Sequence, residues 1–506
     1  MSTTPLYDII IIGGGINGAG IAADAAGRGL KVLLAEAGDL GGATSSASSK
    51  LIHGGLRYLE QYEFRLVREA LGEREVLLSA APHIVWPLQF VLPHVPGMRP
   101  RPLLRAGLFL YDHLSQRRSL GGSAGLDLAT ASAGRPLAAG LHHGFSYWDC
   151  WVDDARLVIA NAIAAREKGA IVLPRTPVVA LEAADDVWMV TLGDGADKRV
   201  VAARTVINAA GPWVDQVARL ANGRGAARGD TPAIRLVKGS HIVVPRIAGA
   251  ETAYIFQNTD GRVVFALPYE SAFTLIGTTD TPYAGDPRDV SADASDEAYL
   301  IDVANRYFSA KIAAQDIVWR FAGVRPLDDD GSSNPSKVSR DYRLQLDASA
   351  GPVMLHVIGG KITTYRKLAE AALDHLQPYL QMGPAWTAHA ALPGGEIGSQ
   401  SYQQWFDDLA RRRPGFTTVE LARLARRYGS RVEHLLGDAQ FSRDLGADLG
   451  GGLRLREIEY LRANEWASQA DDVIWRRTKA ALHVPVGNRA GLATAVQAVL
   501  HDAYTP

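Results

Sequence analysis

The sequence contains a single cysteine, Cys150, among 506 residues. One cysteine cannot form a disulfide within the chain, which is typical of proteins from reducing compartments. An excess of charge of one sign is also missing, because 53 Lys and Arg residues balance 54 Asp and Glu residues. Nothing in this balance favours nucleic acid as a partner, and we expect none.

Long apolar runs are absent as well. No charge-free apolar run reaches the roughly 18 residues that a membrane span requires. The N-terminus also lacks the basic stretch of a secretory signal peptide. We therefore expect a protein of the cytoplasm or of a membrane surface.

The most informative motif follows an apolar run at residues 9–12, where Gly13, Gly15 and Gly18 open a helical segment. Such glycines permit a tight turn, a close approach of the backbone to a pyrophosphate, and close packing of helix on strand. Glu36 follows the next apolar run, where an acid hydrogen-bonds a ribose 2′-hydroxyl and argues against a 2′-phosphate. The alternative, an ordinary strand-turn-helix, leaves the three glycines unexplained.

Later apolar runs, at 206–211 and 353–360, also end in glycine. This pattern predicts an α/β, or mixed α+β, fold in which three separate segments of a Rossmann-like domain return to one dinucleotide. Because there is no second fingerprint, we expect the substrate itself to supply the electrons.

We divide the chain into an oxidoreductase region and a helical C-terminal domain that begins after the 392–395 breaker cluster. Within the first region, the cofactor-binding segments alternate with a β-rich, substrate-side domain. The predicted ranges are 1–388 (cofactor segments 1–83, 146–229 and 321–388; substrate segments 84–145 and 230–320) and 389–506.

Three longer motifs, at residues 13–20, 44–60 and 361–367, closely resemble the aerobic FAD-dependent glycerol-3-phosphate dehydrogenase family. Shorter similar motifs extend the resemblance nearly end to end. It implies hydride transfer from C2 of sn-glycerol 3-phosphate to FAD, which gives dihydroxyacetone phosphate. It also implies a membrane quinone as electron acceptor and peripheral attachment to the cytoplasmic face of the inner membrane. The oligomeric state stays open, with a homodimer as one option.

Several cations match substrate-binding positions of that family, and a phosphate requires such fixed cations. They are Arg57, Arg325, Arg340 and Lys361, and Tyr58 adds a hydroxyl group. The alternative is a surface arginine, and for Arg340 the sequence alone favours that alternative.

Removal of the hydroxyl proton requires a base, and imidazole has a suitable ordinary pKa of about 6.5. His53 and His241 are the candidates, each with a structural role as the alternative, and the sequence does not decide between them. We also count Arg325 among the catalytic residues. No metal is expected.

The resemblance places the polar turn at residues 44–50, after the second strand, along the pyrophosphate and the flavin. The alternative is that this turn is a loop without a role in binding. Together with the fingerprint and the two later glycine turns, this gives the predicted FAD contacts. They are Gly13, Gly15, Asn17, Gly18, Glu36, Thr44, Ser46, Ser48, Ser49, Gly211, Gly360 and Thr363.

Residues 99–118 combine five arginines with apolar side chains and predict an interfacial helix on an anionic membrane. Its predicted apolar side consists of Leu103, Leu104, Leu108, Phe109, Tyr111 and Leu114. The alternative is an internal helix whose arginines bind carboxylates. Two rival functions also remain, an oxidase that passes electrons to oxygen and a flavin-binding protein without turnover.

Overall fold

The computed structural model describes residues 4–115, 119–221, 231–258, 260–329, 341–348 and 351–502. Its strands, in chain order, are β1 Leu6–Ile12, β2 Val32–Ala35, β3 Leu51–Ile52, β4 Val85–Pro93, β5 Ala124–Asp127, β6 His143–Val152, β7 Ile171–Leu173, β8 Val178–Ala184, β9 Val187–Leu192, β10 Arg199–Asn208, β11 Ile234–Pro245, β12 Ala253–Gln257, β13 Val263–Tyr269, β14 Phe273–Pro282, β15 Trp319–Asp328, β16 Arg343–Asp347, β17 Val353–Ile358, β18 Asp448–Gly450 and β19 Leu453–Arg454. Its α-helices are α1 Ile16–Gly27, α2 Phe64–Ala80, α3 Arg101–His113, α4 Asp154–Glu167, α5 Val214–Ala221, α6 Ala294–Tyr307, α7 Tyr365–Leu376, α8 Tyr402–Arg412, α9 Thr418–Tyr428, α10 Val432–Leu436, α11 Leu455–Glu465 and α12 Arg489–Asp502.

The first sheet has the strand order β16-β17-β10-β1-β2-β7, with β9 and β8 continuing beside β10. From β17 to β7 the neighbouring strands run parallel. Its central strand β1 is rich in isoleucine, and Ile9, Ile10 and Ile11 are fully buried. This is expected of a parallel strand that is covered on both faces.

Helices α1, α4 and α7 pack with one face of this sheet, and α5 with β8 and β9 lies on the other. Strands β17, β10 and β1 come from distant parts of the chain, yet they are adjacent and parallel. Their carboxyl ends, each followed by a glycine turn, therefore meet at one edge. The predicted discontinuous Rossmann-like domain is confirmed.

The second sheet has the order β15-β11-β14-β13-β12-β4-β6-β3, with β5 beside β6. Its pairs are antiparallel except for β12 with β4. Helix α6 packs on one face and α2 and α3 on the other. The sequence predicts a β-rich part, but the sheet also takes up β3, most of β6 and most of β15, which lie in ranges assigned above to the cofactor segments. Strand β15 lies next to β17 of the first sheet.

Helices α8 to α12 surround a core of their own, to which Leu409, Leu424 and Leu461 contribute fully buried side chains. A short π-helix, Asp472–Arg477, returns from this helical C-terminal domain to the cofactor-binding sheet. Within the described ranges, no helix combines the length and apolar composition needed to cross a bilayer.

Helix α3 lies in the stretch predicted to be interfacial, but its predicted apolar side is wrong for four of the six residues, and only Leu103 and Phe109 are exposed as predicted. Leu108 and Tyr111 are buried in the core beside the second sheet, and Leu104 and Leu114 pack against that core. Leu103, Phe109 and Leu110 are the exposed apolar residues. Composition suggested an amphipathic helix, but it could not say which apolar stripe faces the protein. Residues 116–118 of this stretch lie outside the described residues.

Candidate active site

The fingerprint turn has the geometry that a bound dinucleotide needs. Gly13 has a φ of +109°, and a Cβ atom there would lie 2.5 Å from the carbonyl oxygen of Ala209, just after β10. Gly15 is the N-cap residue of α1, and Gly18 is buried in its first turns. Only glycine tolerates this conformation and this approach without strain, so the turn presents bare backbone and a helix N-terminus to a ligand.

Glu36 lies directly beside this turn. Its two carboxylate oxygens accept hydrogen bonds from the backbone N–H groups of Gly14, at 2.6 Å, and Gly38, at 2.7 Å. A carboxylate has about four acceptor sites, so these two bonds leave room for ribose hydroxyl donors. The acid is thus fixed where the sequence motif requires it.

Asn17 connects the fingerprint to the third cofactor segment. Its side-chain amide donates to the carbonyl of Gly359 at 3.1 Å, immediately before Gly360. Its Oδ1 atom is buried and has no hydrogen-bond partner among the described residues. Buried acceptors are normally hydrogen-bonded, so this atom fits a donor of a bound ligand. Gly211 begins the turn after β10, so all three predicted segments border one cleft whose residues fit FAD.

Residues 44–50 form the loop predicted to lie along the flavin. Thr44 donates to the carbonyl of Val324 on β15 at 2.6 Å, and Ser46 donates to the carbonyl of Ala43 at 3.3 Å. Ser48 donates to Asp154 at 2.8 Å, and the Ser49 hydroxyl lies 3.0 Å from Nε2 of His241. The loop therefore joins the cofactor sheet to the second sheet.

The sequence interpretation missed Ser45 in this loop. Its hydroxyl accepts a hydrogen bond from the N–H group of Ile16, in the first turn of α1, at 3.0 Å. The serine run alone gave no signal for this, because choosing among adjacent serines requires the loop's path. Ser45 therefore lies against the fingerprint turn, where a Cβ atom at Gly15 would be 3.0 Å from its hydroxyl oxygen.

A row of residues crosses the second sheet and forms the floor of the site. Phe265 pairs with Gly277, Gly277 with His241, and His241 with Phe321. Directly paired residues share one face of a sheet, and Phe321 stacks on the His241 ring at 4.7 Å. A Cβ at Gly277 would lie 1.9 Å from the His241 ring, so glycine is needed to accommodate the imidazole.

His241 is buried, and two cationic side chains lie nearby. Burial, together with the charges of Lys50 and Arg325, lowers its pKa to about 3. Its Nδ1 atom has no hydrogen-bond partner within the described part of the chain. The ring is therefore neutral at physiological pH and can offer a hydrogen bond to a ligand without adding charge.

His53 lies at the other end of this row, edge-on to Phe265 at 6.4 Å between ring centroids. Its backbone N–H donates to the hydroxyl of Thr363 at 3.2 Å, which ties it to the third cofactor segment. The half-buried ring therefore lies between the sheet floor and the segment that carries Lys361.

A buried triad that the sequence did not reveal supports the His53 turn. The Tyr111 hydroxyl accepts from the Gly54 N–H group at 2.9 Å and donates to Asp149 at 2.7 Å, and Arg74 donates to Asp149 at 2.7 Å. Burial raises the pKa of Asp149, although Arg74 and Tyr111 oppose that shift. The three residues come from α2, α3 and β6, so no local motif could indicate them.

The predicted substrate cations are partly brought together. Lys361 Nζ lies 3.7 Å from the centre of the Tyr58 ring, a cation–π distance. Arg325 is on β15 close enough to His241 to lower its pKa. The side chain of Arg57 lies outside the described part of the structure, although its backbone belongs to the 3-10 helix Leu56–Gln61. Arg340 also lies outside the described residues.

This arrangement places two imidazoles, of which that of His241 is neutral, and fixed cations beside the glycine turns that fit a dinucleotide. Cations can hold an anionic group of a small substrate, and an imidazole can take up a hydroxyl proton. The combination supports oxidation of a phosphorylated alcohol.

The comparisons with known proteins agree with this geometry. Residues 8–366 match the family described as FAD dependent oxidoreductase, and residues 385–502 match the C-terminal domain of alpha-glycerophosphate oxidase. The chain is 54% identical to a glycerol-3-phosphate dehydrogenase of Pseudomonas aeruginosa, covering 94% of this chain and 92% of that protein. It is 50% identical to a D-erythritol 1-phosphate dehydrogenase of Brucella abortus, covering 97% of each.

A solved structure resembles the whole chain. The glycerol-3-phosphate dehydrogenase of Bacillus halodurans, in complex with FAD, aligns with a TM-score of 0.79 at 28% sequence identity. The alignment covers 99% of this chain and 91% of the other. The similarity therefore includes both sheets and the C-terminal helices.

Proposed function

The chain belongs to the family of FAD-dependent oxidoreductases, and we propose that it oxidises sn-glycerol 3-phosphate to dihydroxyacetone phosphate. The observation that carries this proposal is that Lys361 contacts Tyr58 and that the neighbouring Thr363 contacts the His53 turn, both just after β17 in the third cofactor segment. A relative named glycerol-3-phosphate dehydrogenase, 54% identical along nearly all of its length, supports the substrate.

The roles of the site residues follow from their chemistry. Bound FAD supplies the acceptor for the hydride that leaves C2. Lys361, Arg325 and Arg57 hold the substrate phosphate, because its nearly two charges require several cations. His53 takes the proton of the C2 hydroxyl, since protonating His241 beside Lys50 and Arg325 is unfavourable. His241 orients Ser49 and the substrate as a neutral ring.

A longer polyol phosphate is the second candidate substrate, because a relative named D-erythritol 1-phosphate dehydrogenase is 50% identical over nearly the whole chain. The test is anaerobic reduction of the enzyme's flavin, followed by its absorbance, with glycerol 3-phosphate, D-erythritol 1-phosphate and unphosphorylated glycerol. We expect glycerol 3-phosphate to bleach the flavin fastest and glycerol to leave it oxidised. Faster bleaching by the four-carbon phosphate would reassign the substrate, and no bleaching by any of them would refute the proposal.

Electrons leave the flavin for a membrane quinone in this proposal, so the enzyme attaches peripherally to the cytoplasmic face of the inner membrane. The exposed face of α3 supports this attachment. Leu103 and Phe109 are 51% and 57% exposed there, beside the exposed Arg101 and Arg105. Apolar side chains next to arginines suit an anionic lipid surface.

The position of α3 also favours this surface. Arg99, just before α3, pairs with Glu60 at 3.1 Å, which connects the helix to the 3-10 helix that carries Tyr58. Tyr62, which follows that 3-10 helix, is 80% exposed. A membrane at α3 therefore lies close to the substrate-binding turn.

The attachment test replaces Leu103, Phe109 and Leu110 by serine together. Binding to anionic phospholipid vesicles and quinone-dependent turnover should fall, while turnover with a soluble dye is retained. Val419→Ser is the control, because Val419 is 81% exposed on α9, outside this surface. Unchanged vesicle binding by the triple variant would exclude α3 as the docking surface. Hydrogen peroxide formed in air at the rate of substrate consumption would instead favour an oxidase.

For the domain organisation we keep residues 1–388 as the oxidoreductase unit and 389–506 as the helical C-terminal unit. The separate apolar core of helices α8 to α12 supports this division.

A further inference from the structure

Two consecutive arginines of the C-terminal domain bind one carboxylate of the cofactor domain. Arg476 donates to Asp39 at 2.6 Å, and Arg477 donates to the same carboxylate at 2.7 Å. Both arginines lie in the π-helix Asp472–Arg477. Neighbouring side chains of a regular α-helix point about 100° apart, and π-helical turns often occur at functional sites. The π-helical turn thus allows both guanidinium groups to reach the carboxylate of Asp39.

Arg477 and Asp39 are buried, Arg476 is partly exposed, and each arginine also contacts a group of its own domain. Arg477 is fully buried and also donates to the carbonyl of Glu465 at 3.0 Å. Arg476 is held by Asp472, which also accepts from Arg175 at 2.8 Å. A buried ion pair is favourable only when good geometry and hydrogen bonds offset the desolvation of its charges. Asp39 accepts from both arginines and is held in position, although the buried Nε atom of Arg477 has no hydrogen-bond partner among the described residues.

Asp39 lies in the loop between Glu36 and the flavin-side loop. Two residues later, the N–H group of Gly41 donates to the carbonyl of Gly14 at 2.9 Å. The N–H group of Gly14 in turn donates to Glu36. Fixing Asp39 therefore fixes the loop against the turn that would hold the pyrophosphate and the ribose.

The same C-terminal segment reaches the second cofactor loop through Lys479. This residue is buried and pairs with Asp153, the N-cap of α4. Burial tends to raise the pKa of Asp153, but Lys479 outweighs it and the net shift is downward. The next residue, Asp154, accepts from Lys50 at 2.8 Å and from Ser48 at 2.8 Å.

We propose that Arg477 and Lys479 are positioning residues through which the C-terminal domain retains FAD. They fix the two cofactor loops, at 36–42 and 44–50, from outside the binding cleft. The proposal rests on the FAD site of the proposed function and is independent of which polyol phosphate is oxidised.

The test measures release of FAD from the purified holoenzyme after dilution, by the fluorescence of free flavin. Asp39→Asn removes the charge that both arginines bind, and Lys479→Met removes the second contact. We expect each variant to release FAD about tenfold faster, the effect of losing about 1.4 kcal/mol of loop positioning. Added FAD should restore their thermal stability toward that of the parent, by mass action.

Glu465→Gln is the matched control. It weakens another buried ion pair between the domains, that of Arg156 with Glu465. Within the described ranges the Glu465 side chain is hydrogen-bonded to Arg156 and to neither cofactor loop. We expect it to lower the melting temperature without faster FAD release. If Asp39→Asn fails to fold, the rate of FAD release from Lys479→Met is the deciding measurement. Release at the parental rate, or no faster than in the control, would overturn the proposal, and this outcome does not depend on the substrate.

Discussion

The two histidines of the site can be separated by one pair of variants, His53→Gln and His241→Gln. Burial, together with the charges of Lys50 and Arg325, lowers the pKa of His241 to about 3. Compared with an imidazole of ordinary pKa, about 6.5, protonation of His241 therefore costs about 5 kcal/mol more. A base that must carry the proton of the C2 hydroxyl at this cost gives little catalytic assistance.

We therefore expect His53→Gln to slow flavin reduction by about two to four orders of magnitude, the usual contribution of a general base. His241→Gln should stay within about tenfold of the parent, because a neutral hydrogen-bonding group is replaced by another. The assay is anaerobic stopped-flow reduction of the flavin at saturating glycerol 3-phosphate, at pH 7.

Flavin absorbance before mixing must show that both variants retain FAD. The reverse ranking of the two rates would refute the reasoning. So would a parental reduction rate that stays constant as the pH is lowered to about 4, because only a base with a pKa near that of His241 remains unprotonated there.

Three further predictions concern binding, positioning and stability. Lys361→Met should lower kcat/KM for glycerol 3-phosphate by about 10- to 150-fold, because a charged contact worth about 1.5 to 3 kcal/mol is lost. Lys367→Met, on the exposed side of α7, is the control. If the two variants have equal kinetics, Lys361 does not belong to the phosphate site. Tyr111→Phe should lower kcat/KM by about two- to tenfold, because a lost hydrogen bond to Gly54 is worth about 0.5–1.5 kcal/mol. Unchanged kinetics with a lower melting temperature would make the triad purely structural. Burial lowers the pKa of His356 to about 4, so its contribution to stability is complete above about pH 6.5 and is lost as the pH falls toward 4. In urea titrations over this window, the free energy of unfolding of His356→Gln should fall by about 1.4 kcal/mol less per pH unit than that of the parent. Parallel pH profiles of the two proteins would contradict this prediction.

The cofactor half of the fold was predictable because its signal is local. Gly13, Gly15 and Gly18 lie in one turn, and the apolar runs before Gly211 and Gly360 end in the same way. Parallel strands bring such ends to one edge of the sheet, so the sequence indicated a shared cleft without any knowledge of its shape.

Contacts between distant segments were not predictable. The hydrogen bond from Tyr111 to Asp149 and the pair of Arg477 with Asp39 join elements whose spacing carries no pattern. The prediction of which side of α3 is exposed was wrong in part for a related reason. Leu103 and Leu108 are equally apolar in the sequence, and only packing on the second sheet determines that Leu108 is buried.

The order of strands in the cofactor sheet also bears on synthesis of the chain. β1 is made first, but its neighbour β10 follows nearly two hundred residues later, and β17 completes the row only at Ile358. At about 5–20 residues per second, a ribosome needs roughly 20 to 70 s between the first and the last of these strands. The isoleucine-rich β1 gains its neighbour β10 only once residue 208 has been made, and β10 in turn lacks β17 until residue 358. Nascent chains that stop short of residue 358 should therefore be aggregation-prone and unable to bind FAD, because the cofactor sheet is completed only in the final third of synthesis.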